Sequence, residues 1–192
     1  MHGAINLKPL EQNIYDAIIE SPVRWYALLV ESGSERKACI WLKRRQFNPY
    51  WPRYKGTVKL NRHRREIRWR SVIPGYLFLP IPITQDINMD LLKKAPAIRE
   101  ALRNGHGDIV EIPEKGQQGI EKIRFIEEAL NLSAVAAAQG IPFKVGQRIF
   151  IRRLEIEGTI ARIDSRRQIT VEAPMFGSRV RMVMPVAELE AM

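Results

Sequence analysis

Basic side chains concentrate in one block of this chain. Thirteen Lys and Arg residues lie between Ser34 and Arg70, opposed only by Glu35 and Glu66, so the block has a net charge of +11 against +10 for the whole chain. Ammonium and guanidinium groups at this density bind phosphate oxygens. The block predicts a polyanion-binding surface, and the alternative is a solvated charged face that serves solubility.

Catalytic and metal chemistry are not predicted. The single cysteine, Cys39, excludes an internal disulfide and a Cys-based zinc cluster, and His2, His63 and His106 are scattered along the chain. The sequence has no glycine-rich phosphate loop, no HExxH pair and no carboxylate cluster within the basic block. We expect a protein that is not an enzyme and holds no metal or cofactor, with His63 and His106 in surface loops.

The composition is that of a globular protein. A chain of 192 residues, 45% hydrophobic and 27% charged, is long enough for one ordinary domain or two small ones. The longest apolar runs, residues 72–83 and 132–138, are too short to span a membrane. The first residues include Glu11, Asp16 and Glu20 and do not form a signal peptide. We expect no membrane association and a cytoplasmic location.

Hydrophobic periodicity and turn residues define the elements of the first two thirds of the chain. The predicted elements are a strand over 25–30, a helix over 34–46, a polar hairpin tip over 56–65, strands over 66–73 and 76–80, a helix over 84–95, a strand over 108–112 and a helix from 113 to about 132. This order of strands and helices predicts a ferredoxin-like α+β sandwich.

Two predicted strands have informative faces. In strand 66–73, alternation places Ile67, Trp69 and Ile73 on a buried face and Arg68 and Arg70 on a cationic face. Strand 76–80 is apolar on both faces. Because the two helices of a ferredoxin-like sandwich usually cover one sheet face, either another element of this chain or a partner protein must cover the other.

The last third of the chain has a different character. Residues 133–141 (SAVAAAQGI) are small and uncharged and predict a linker, although the preceding helix could instead extend through the alanines. Short strands are predicted over 147–153, 158–163, 168–172 and 179–184. With tight turns between them, they predict a small β-barrel.

Several segments together resemble the NusG family of bacterial transcription elongation factors. They are WYAL at residues 25–28, the basic helix, IPGYLFL at residues 73–79, and VGQRI at residues 145–149 leading to GTI at residues 158–160. The resemblance runs from about residue 24 to residue 190. It implies an N-terminal extension (1–23), a ferredoxin-like NusG-type domain (24–132), a linker (133–141) and a KOW domain with an SH3-like barrel (142–192).

The resemblance implies that the protein binds RNA polymerase. In the family, a hydrophobic depression on the N-terminal domain grips the clamp helices of the largest polymerase subunit, which matches the uncovered apolar face predicted above. The residues implied for this contact are Ile73, Pro74, Gly75, Tyr76 and Phe78. The factor would then modulate pausing, termination or antitermination as a monomer in the bacterial cytoplasm, associated with the nucleoid through polymerase.

The family also places a basic surface near the upstream DNA fork and the non-template strand. The residues implied for this contact are Lys37, Arg44, Arg62, Arg64, Arg65 and Arg68. Phosphate contacts add affinity without reading sequence. Trp41 or Trp69 could stack on an unpaired base, but a tryptophan at this spacing is more often a core residue, and we expect both in the core.

The family's KOW barrel recruits a further factor, typically the termination helicase Rho or a ribosomal protein. The residues implied for this contact are Phe176, Arg179 and Val180. The loop between Ile151 and Gly158 is short and lacks the expected aromatics, so we expect altered partners. With the basic insert over 55–65 and the N-terminal extension, these departures indicate a specialised paralogue.

Two alternatives stay open at this stage. Leu10, Ile14, Ala17 and Ile18 can form the apolar stripe of an amphipathic helix, which either covers the polymerase-binding depression, packs on the domain edge or belongs to a disordered tail. The alternative function is a stand-alone RNA-binding or ribosome-associated module, since RNA readers stack bases on sheet aromatics.

Overall fold

A computed structural model describes residues 22–59, 61, 65–116, 119–132, 143–163 and 168–192. Its elements are β1 (Val23–Val30), α1 (Glu35–Lys43), β2 (Arg53–Lys59), β3 (Arg65–Ser71), β4 (Tyr76–Pro82), α2 (Met89–Leu92), β5 (Ile98–Ala101), β6 (Glu111–Ile112), α3 (Ile120–Leu132), β7 (Arg148–Ile151), β8 (Ile156–Ile163), β9 (Gln168–Met175), β10 (Ser178–Pro185) and β11 (Leu189–Ala191). The predicted N-terminal extension, apart from its last two residues, and the predicted linker lie outside the described residues.

An antiparallel sheet with β1 at its centre organises the first part of the chain, and we call it the N-terminal sheet. Its order is β4-β1-β5, and β6 also pairs with β1. The β1–β4 pairing runs without interruption from Val23 opposite Pro82 to Leu29 opposite Tyr76. Both strands bury side chains on both faces, as the doubly apolar pattern of residues 76–80 predicts.

Two separate hydrophobic clusters lie on the two sides of the N-terminal sheet. One side buries Tyr26, Leu28 and Leu79 together with the apolar residues of α1. The other side buries Trp25 and Phe78 together with the apolar residues of α3. The two helices of the predicted ferredoxin-like order, α1 and α2, therefore lie on one side of the sheet, and the added helix, α3, lies on the other.

The C-terminal part forms a second antiparallel sheet, the C-terminal sheet, with the order β10-β9-β8-β7-β11. Four of these strands lie where the sequence predicts them. The fifth, β11, was not predicted because it is only three residues long and follows a short 3-10 turn. The buried residues of the C-terminal sheet, among them Ile151, Val171 and Met182, belong to the same cluster as Trp25 and Phe78. One core therefore joins the two sheets.

Strands β2 and β3 form a separate two-stranded hairpin. The predicted hairpin tip over 56–65 is wrong at both ends, because residues 56–59 and 65 belong to the paired strands. The predicted burial of Ile67 and Trp69 is also wrong, since these side chains are 70% and 46% exposed. Alternation assigned the two residues correctly to one face of β3, but that face of the ribbon stays in solvent.

Two helices are shorter than predicted. The helix predicted over 84–95 is reduced to Met89–Leu92, and Asn88 caps it by accepting a hydrogen bond from the Leu91 amide at 2.9 Å. The helix predicted from residue 113 begins at Ile120. Among the described residues, no helix is long and apolar enough to cross a membrane.

The turn between β3 and β4 is held by a buried carboxylate. Glu35, 3% exposed, is the one buried polar or charged residue among those whose side chains are described, and its Oε1 accepts a hydrogen bond from the Gly75 amide at 2.8 Å. The Gly75 carbonyl accepts from the Val30 amide at 2.8 Å, and Gly75 has a φ of +87°, which favours glycine. Glu35 thus fixes the turn relative to α1 and β1.

Replacing Glu35 by Ala is expected to destabilise the fold by about 1–3 kcal/mol, because the half-buried Gly75 amide would lose its acceptor. Urea unfolding measures the change. The matched control is Glu121→Ala, which removes an exposed acid from the first turn of α3 and should cost less than about 0.5 kcal/mol. Equal effects of the two substitutions would contradict a specific role for Glu35.

Candidate functional site

An aromatic row crosses from the N-terminal sheet to the C-terminal sheet. The Phe78 and Phe176 ring centroids lie 5.9 Å apart with an interplanar angle of 66°, an edge-to-face contact. On its other side Phe78 lies 6.1 Å from the Tyr50 ring, which in turn lies 6.3 Å from the Trp25 ring. Aromatic pairs at these distances are favourable beyond the area they bury.

Two further contacts join the halves of the molecule. The Val183 amide on β10 donates a hydrogen bond to the Val72 carbonyl at 2.8 Å, just after the end of β3. The Arg153 guanidinium lies 3.7 Å from the centre of the Phe125 ring on α3, a cation–π contact. The C-terminal sheet is therefore held to the N-terminal part by an edge-to-face ring contact, a backbone hydrogen bond and a cation–π contact.

The segment predicted to bind polymerase lies at this junction. Ile73 and Phe78 are 1% and 0% exposed, Gly75 and Tyr76 are half-buried and Pro74 is exposed. The expectation of an uncovered apolar face is thus wrong for this conformation. Of the two alternatives for its cover, a partner or another element of the chain, the structure has the second, because the C-terminal sheet packs there.

Phe176 reaches the junction from a strained turn. Strands β9 and β10 are joined by Phe176 and Gly177 alone, whose φ angles of 54° and 76° are those of a type I′ turn. A left-handed conformation costs a residue other than glycine about 1–2 kcal/mol. Burial of the Phe176 ring against Phe78 offsets this cost.

The three residues predicted to contact a further partner have different environments. Phe176 and Val180 are buried, whereas Arg179 is exposed and approaches Glu172 at 3.5 Å. The Arg181 guanidinium donates a hydrogen bond to the same carboxylate at 3.0 Å and is the main cause of a lowered Glu172 pKa. In this conformation only Arg179 of the predicted set is open to a partner.

Helix α3 holds the β2–β3 hairpin and the aromatic row in place. Glu127 accepts hydrogen bonds from the Tyr50 hydroxyl at 2.6 Å and from the Arg53 amide at 3.0 Å. Asn131 accepts from the Lys55 amide and donates to the Arg53 carbonyl, each at 3.1 Å. Burial, followed by the hydrogen bond to Glu127 and its charge, raises the pKa of Tyr50, so the phenol stays protonated.

The predicted DNA-binding residues are only partly described. Lys37 and Arg44 are exposed and lie seven positions apart on α1 and its C-cap, so they share one helix face. Arg68 is exposed and forms an ion pair with Glu66 at 2.7 Å. Arg62 and Arg64 lie outside the described residues, and for Arg65 the structure gives the backbone position in β3.

Sequence reasoning missed four residues that assemble the site, namely Glu35, Glu127, Asn131 and Val183. Glu127 and Asn131 stand four positions apart on one side of α3, and this polar pair beside the apolar stripe was an available signal. Glu35 resembles an ordinary acid in a first helical turn. Val183 joins the two sheets through its backbone amide, for which a side-chain pattern gives no signal.

The described ranges contain no group of three His, Cys, Asp or Glu side chains placed to hold a metal ion. Cys39 is buried in the cluster beneath α1, and this burial raises its thiol pKa. The chemistry available at the junction is therefore apolar contact, backbone hydrogen bonding and cationic interaction.

Comparison with known proteins identifies the family. Residues 23–121, just over half of the chain, match the family model NusG, described as transcription termination factor nusG. The chain belongs to the NusG family, whose members are non-enzymatic factors of transcription elongation and termination. No curated protein sequence matches the chain.

The chain is also similar to solved structures. The chain is similar to Thermotoga maritima NusG, in a structure titled "Domain interaction in Thermotoga maritima NusG", with a TM-score of 0.51 and 20% identity over 89% of this chain and 98% of that one. The MjSpt4:Spt5 complex in conformation A gives a TM-score of 0.28 and 13% identity over 88% of this chain and 97% of that one. The first similarity supports a NusG-like fold of mixed helices and sheets.

A double-mutant cycle tests the junction. Phe78→Ala and Phe176→Ala are expected to couple by about 0.5–1.5 kcal/mol, because each single change already removes the ring contact. Denaturant unfolding of the four chains gives the coupling free energy. The control pairs Phe176→Ala with Leu79→Ala, the neighbouring position on β4 that belongs to the opposite cluster. Additivity in both cycles would contradict the Phe78–Phe176 contact.

Proposed function

We propose that this protein is a transcription elongation factor that binds the clamp helices of RNA polymerase through the apolar side of its N-terminal sheet. The contact residues are Ile73, Pro74, Gly75, Tyr76 and Phe78. The observation that carries the proposal is that β4 is apolar on both faces. One of these faces is covered by α3 together with the C-terminal sheet, and not by helices alone. A cover of this kind can be exchanged for a helical hairpin of a partner.

Polymerase binding then requires the C-terminal sheet to move away. The junction buries Phe78 and Phe176, and exposing one such side chain costs about 1.5–3 kcal/mol. Since apparent affinity falls in proportion to the fraction of open molecules, each 1.4 kcal/mol of closure free energy weakens polymerase binding about tenfold. The free energy with which the C-terminal sheet packs on the N-terminal sheet therefore sets the apparent affinity of the factor for polymerase.

The C-terminal sheet is proposed to be the family's KOW domain, an SH3-like barrel that recruits Rho or a ribosomal protein through Phe176, Arg179 and Val180. Phe176 is also the residue that closes the junction. The same ring cannot contact Phe78 and a further partner at once. Polymerase binding would thus expose the recruiting surface, coupling the two events.

Upstream or non-template DNA is the proposed nucleic-acid partner of the basic surface. The residues proposed for it are Lys37, Arg44, Arg62, Arg64, Arg65 and Arg68. Support comes from the exposure of Lys37 and Arg44 on a common helix face and from the charge of the block. The factor would act as a monomer. Through polymerase and its DNA it would associate with the nucleoid in the cytoplasm.

A stand-alone RNA-binding or ribosome-associated module is the second candidate. The exposure of Trp69 on the β2–β3 hairpin favours it, because RNA readers present aromatic side chains on open sheets. A substitution on the apolar side of the N-terminal sheet distinguishes the two candidates. It lowers the affinity of a polymerase-binding factor for polymerase, whereas an RNA-binding module keeps its affinity for RNA.

Capture of purified bacterial RNA polymerase by the immobilised full chain tests the proposal. Phe176→Ala is expected to increase capture, because it weakens closure. Adding Tyr76→Asp should abolish the increase, since a carboxylate in the apolar contact loses its hydration without a partner. Ile83→Asp, at an exposed position, supplies the same charge and should leave capture unchanged.

Two results would contradict the proposal. Capture insensitive to Tyr76→Asp in the opened chain would exclude the junction side as the polymerase contact. Capture reduced by Phe176→Ala would mean that the C-terminal sheet contributes to polymerase binding instead of blocking it.

A further inference from the structure

One face of the β2–β3 hairpin is both apolar and cationic, and we call it the hairpin face. It carries Arg53 and Lys55 from β2 and Ile67, Trp69 and Ser71 from β3, with Lys55 directly opposite Trp69 and Arg53 opposite Ser71. Ile67 and Trp69 are among the few large hydrophobic side chains that are exposed in the described residues. An exposed indole beside an exposed isoleucine indicates an interaction surface.

Positive charge surrounds the indole of the hairpin face. The Arg53 guanidinium lies 4.6 Å from the Trp69 ring centre, and the Lys55 ammonium lies 5.5 Å from it. The described residues offer neither cation an ion pair. Glu66 lies on the opposite face of the hairpin, where Arg68 neutralises it. The charge of the hairpin face is therefore uncompensated and favours an anionic partner.

Hydrogen bonds anchor the base of the hairpin face. Helix α3 fixes the outer edge of β2 through the Glu127 and Asn131 hydrogen bonds to the backbone of Arg53 and Lys55. At the base of the hairpin, the Trp51 indole donates a hydrogen bond to the Ser71 hydroxyl at 2.7 Å. A partner that binds here meets a preorganised surface, which reduces the entropy lost on binding.

We propose that the hairpin face binds single-stranded nucleic acid, with an unpaired base stacked on Trp69 and flanking phosphates bound by Arg53 and Lys55. The guanidinium lies over part of the indole, and the exposed remainder of the ring is available to a base. Stacking tolerates any base, because every base has a π-face, and the cations supply the phosphate contacts. A duplex, whose bases are already stacked on each other, cannot use the indole in this way.

This inference deepens the proposed function, on which it rests for the origin of the strand. It assigns base stacking to Trp69, which the sequence analysis expected in the core and which the structure leaves exposed. Because its test needs no polymerase, the inference and the proposed function can fail separately.

The test measures fluorescence anisotropy of labelled oligonucleotides of about a dozen nucleotides, a length that spans one such site. The full chain is titrated into single-stranded DNA, single-stranded RNA and duplex DNA of one mixed sequence. Trp69→Ala is expected to weaken single-strand binding about tenfold or more and to leave duplex binding nearly unchanged. Trp69→Phe should restore most of the loss, and the tighter single strand identifies the natural source.

Salt titrations separate stacking from charge. Trp69→Ala should leave the salt dependence of single-strand binding as it is, whereas Arg53→Gln with Lys55→Gln should reduce its slope by up to about 1.4, at about 0.7 for each lost phosphate contact. Lys94→Gln, at an exposed lysine outside the hairpin, is the control for loss of charge. The far-ultraviolet circular dichroism spectrum verifies that each variant is folded.

Three outcomes would overturn the inference. One is single-strand affinity that is equal in the parent chain, Trp69→Ala and Trp69→Phe. Another is tighter binding to duplex than to either single strand with no effect of Trp69. The third is self-association, seen by light scattering, that Trp69→Ala abolishes while oligonucleotide affinity stays constant, because the hairpin face would then bind a second copy of the chain.

Discussion

The β1–β4 pair is apolar on both faces, and the rest of the structure depends on this constraint. Such a pair must be covered twice, and the chain does so with α1 on one side and with α3 and the C-terminal sheet on the other. The first cover is made by neighbouring sequence. The second brings in α3 and also the C-terminal sheet, which begins more than sixty positions beyond β4. The same side of the sheet therefore serves as core and as candidate docking surface.

Polar contacts give this arrangement its geometry. Glu35 holds the turn before β4, and Glu127 holds Tyr50 and the first residue of the hairpin. Both carboxylates act on backbone amides or on a phenol, and their positions fix the aromatic row to which Phe176 adds its ring. The hairpin leaves this framework with one face exposed, and there the Trp69 indole lies beside two cations of β2.

Much of this could be predicted from the sequence, for identifiable reasons. The strands 25–30 and 76–80 were predicted because each is a short apolar run bounded by turn residues. The need for a second cover followed from the apolar residues on both faces of β4. The identity of that cover was not predictable, because Val183 contributes a backbone amide and Phe176 enters from a turn whose strain only tertiary contact offsets.

The errors in the prediction have equally specific causes. Ile67 and Trp69 were assigned to a buried face because they are hydrophobic and alternate with arginines. Alternation along a strand shows which residues share a face, but it does not show whether another element covers that face. Helix 84–95 was overestimated because its first residues form a turn, closed by the Gln85 amide on the Pro82 carbonyl, and the chain turns again directly after Leu92. Among the candidate site residues, type and position were readable from the sequence, but accessibility was set by the contact between the two sheets.

Nuclear Overhauser effects between phenylalanine rings in the full chain test the central claim most directly. The account predicts a cross-peak between the Phe78 and Phe176 ring protons, since the ring centroids are 5.9 Å apart in edge-to-face contact. The Tyr50–Phe78 pair, at 6.1 Å within the N-terminal part, is the internal reference. A Tyr50–Phe78 cross-peak without a Phe78–Phe176 cross-peak would contradict the closed junction.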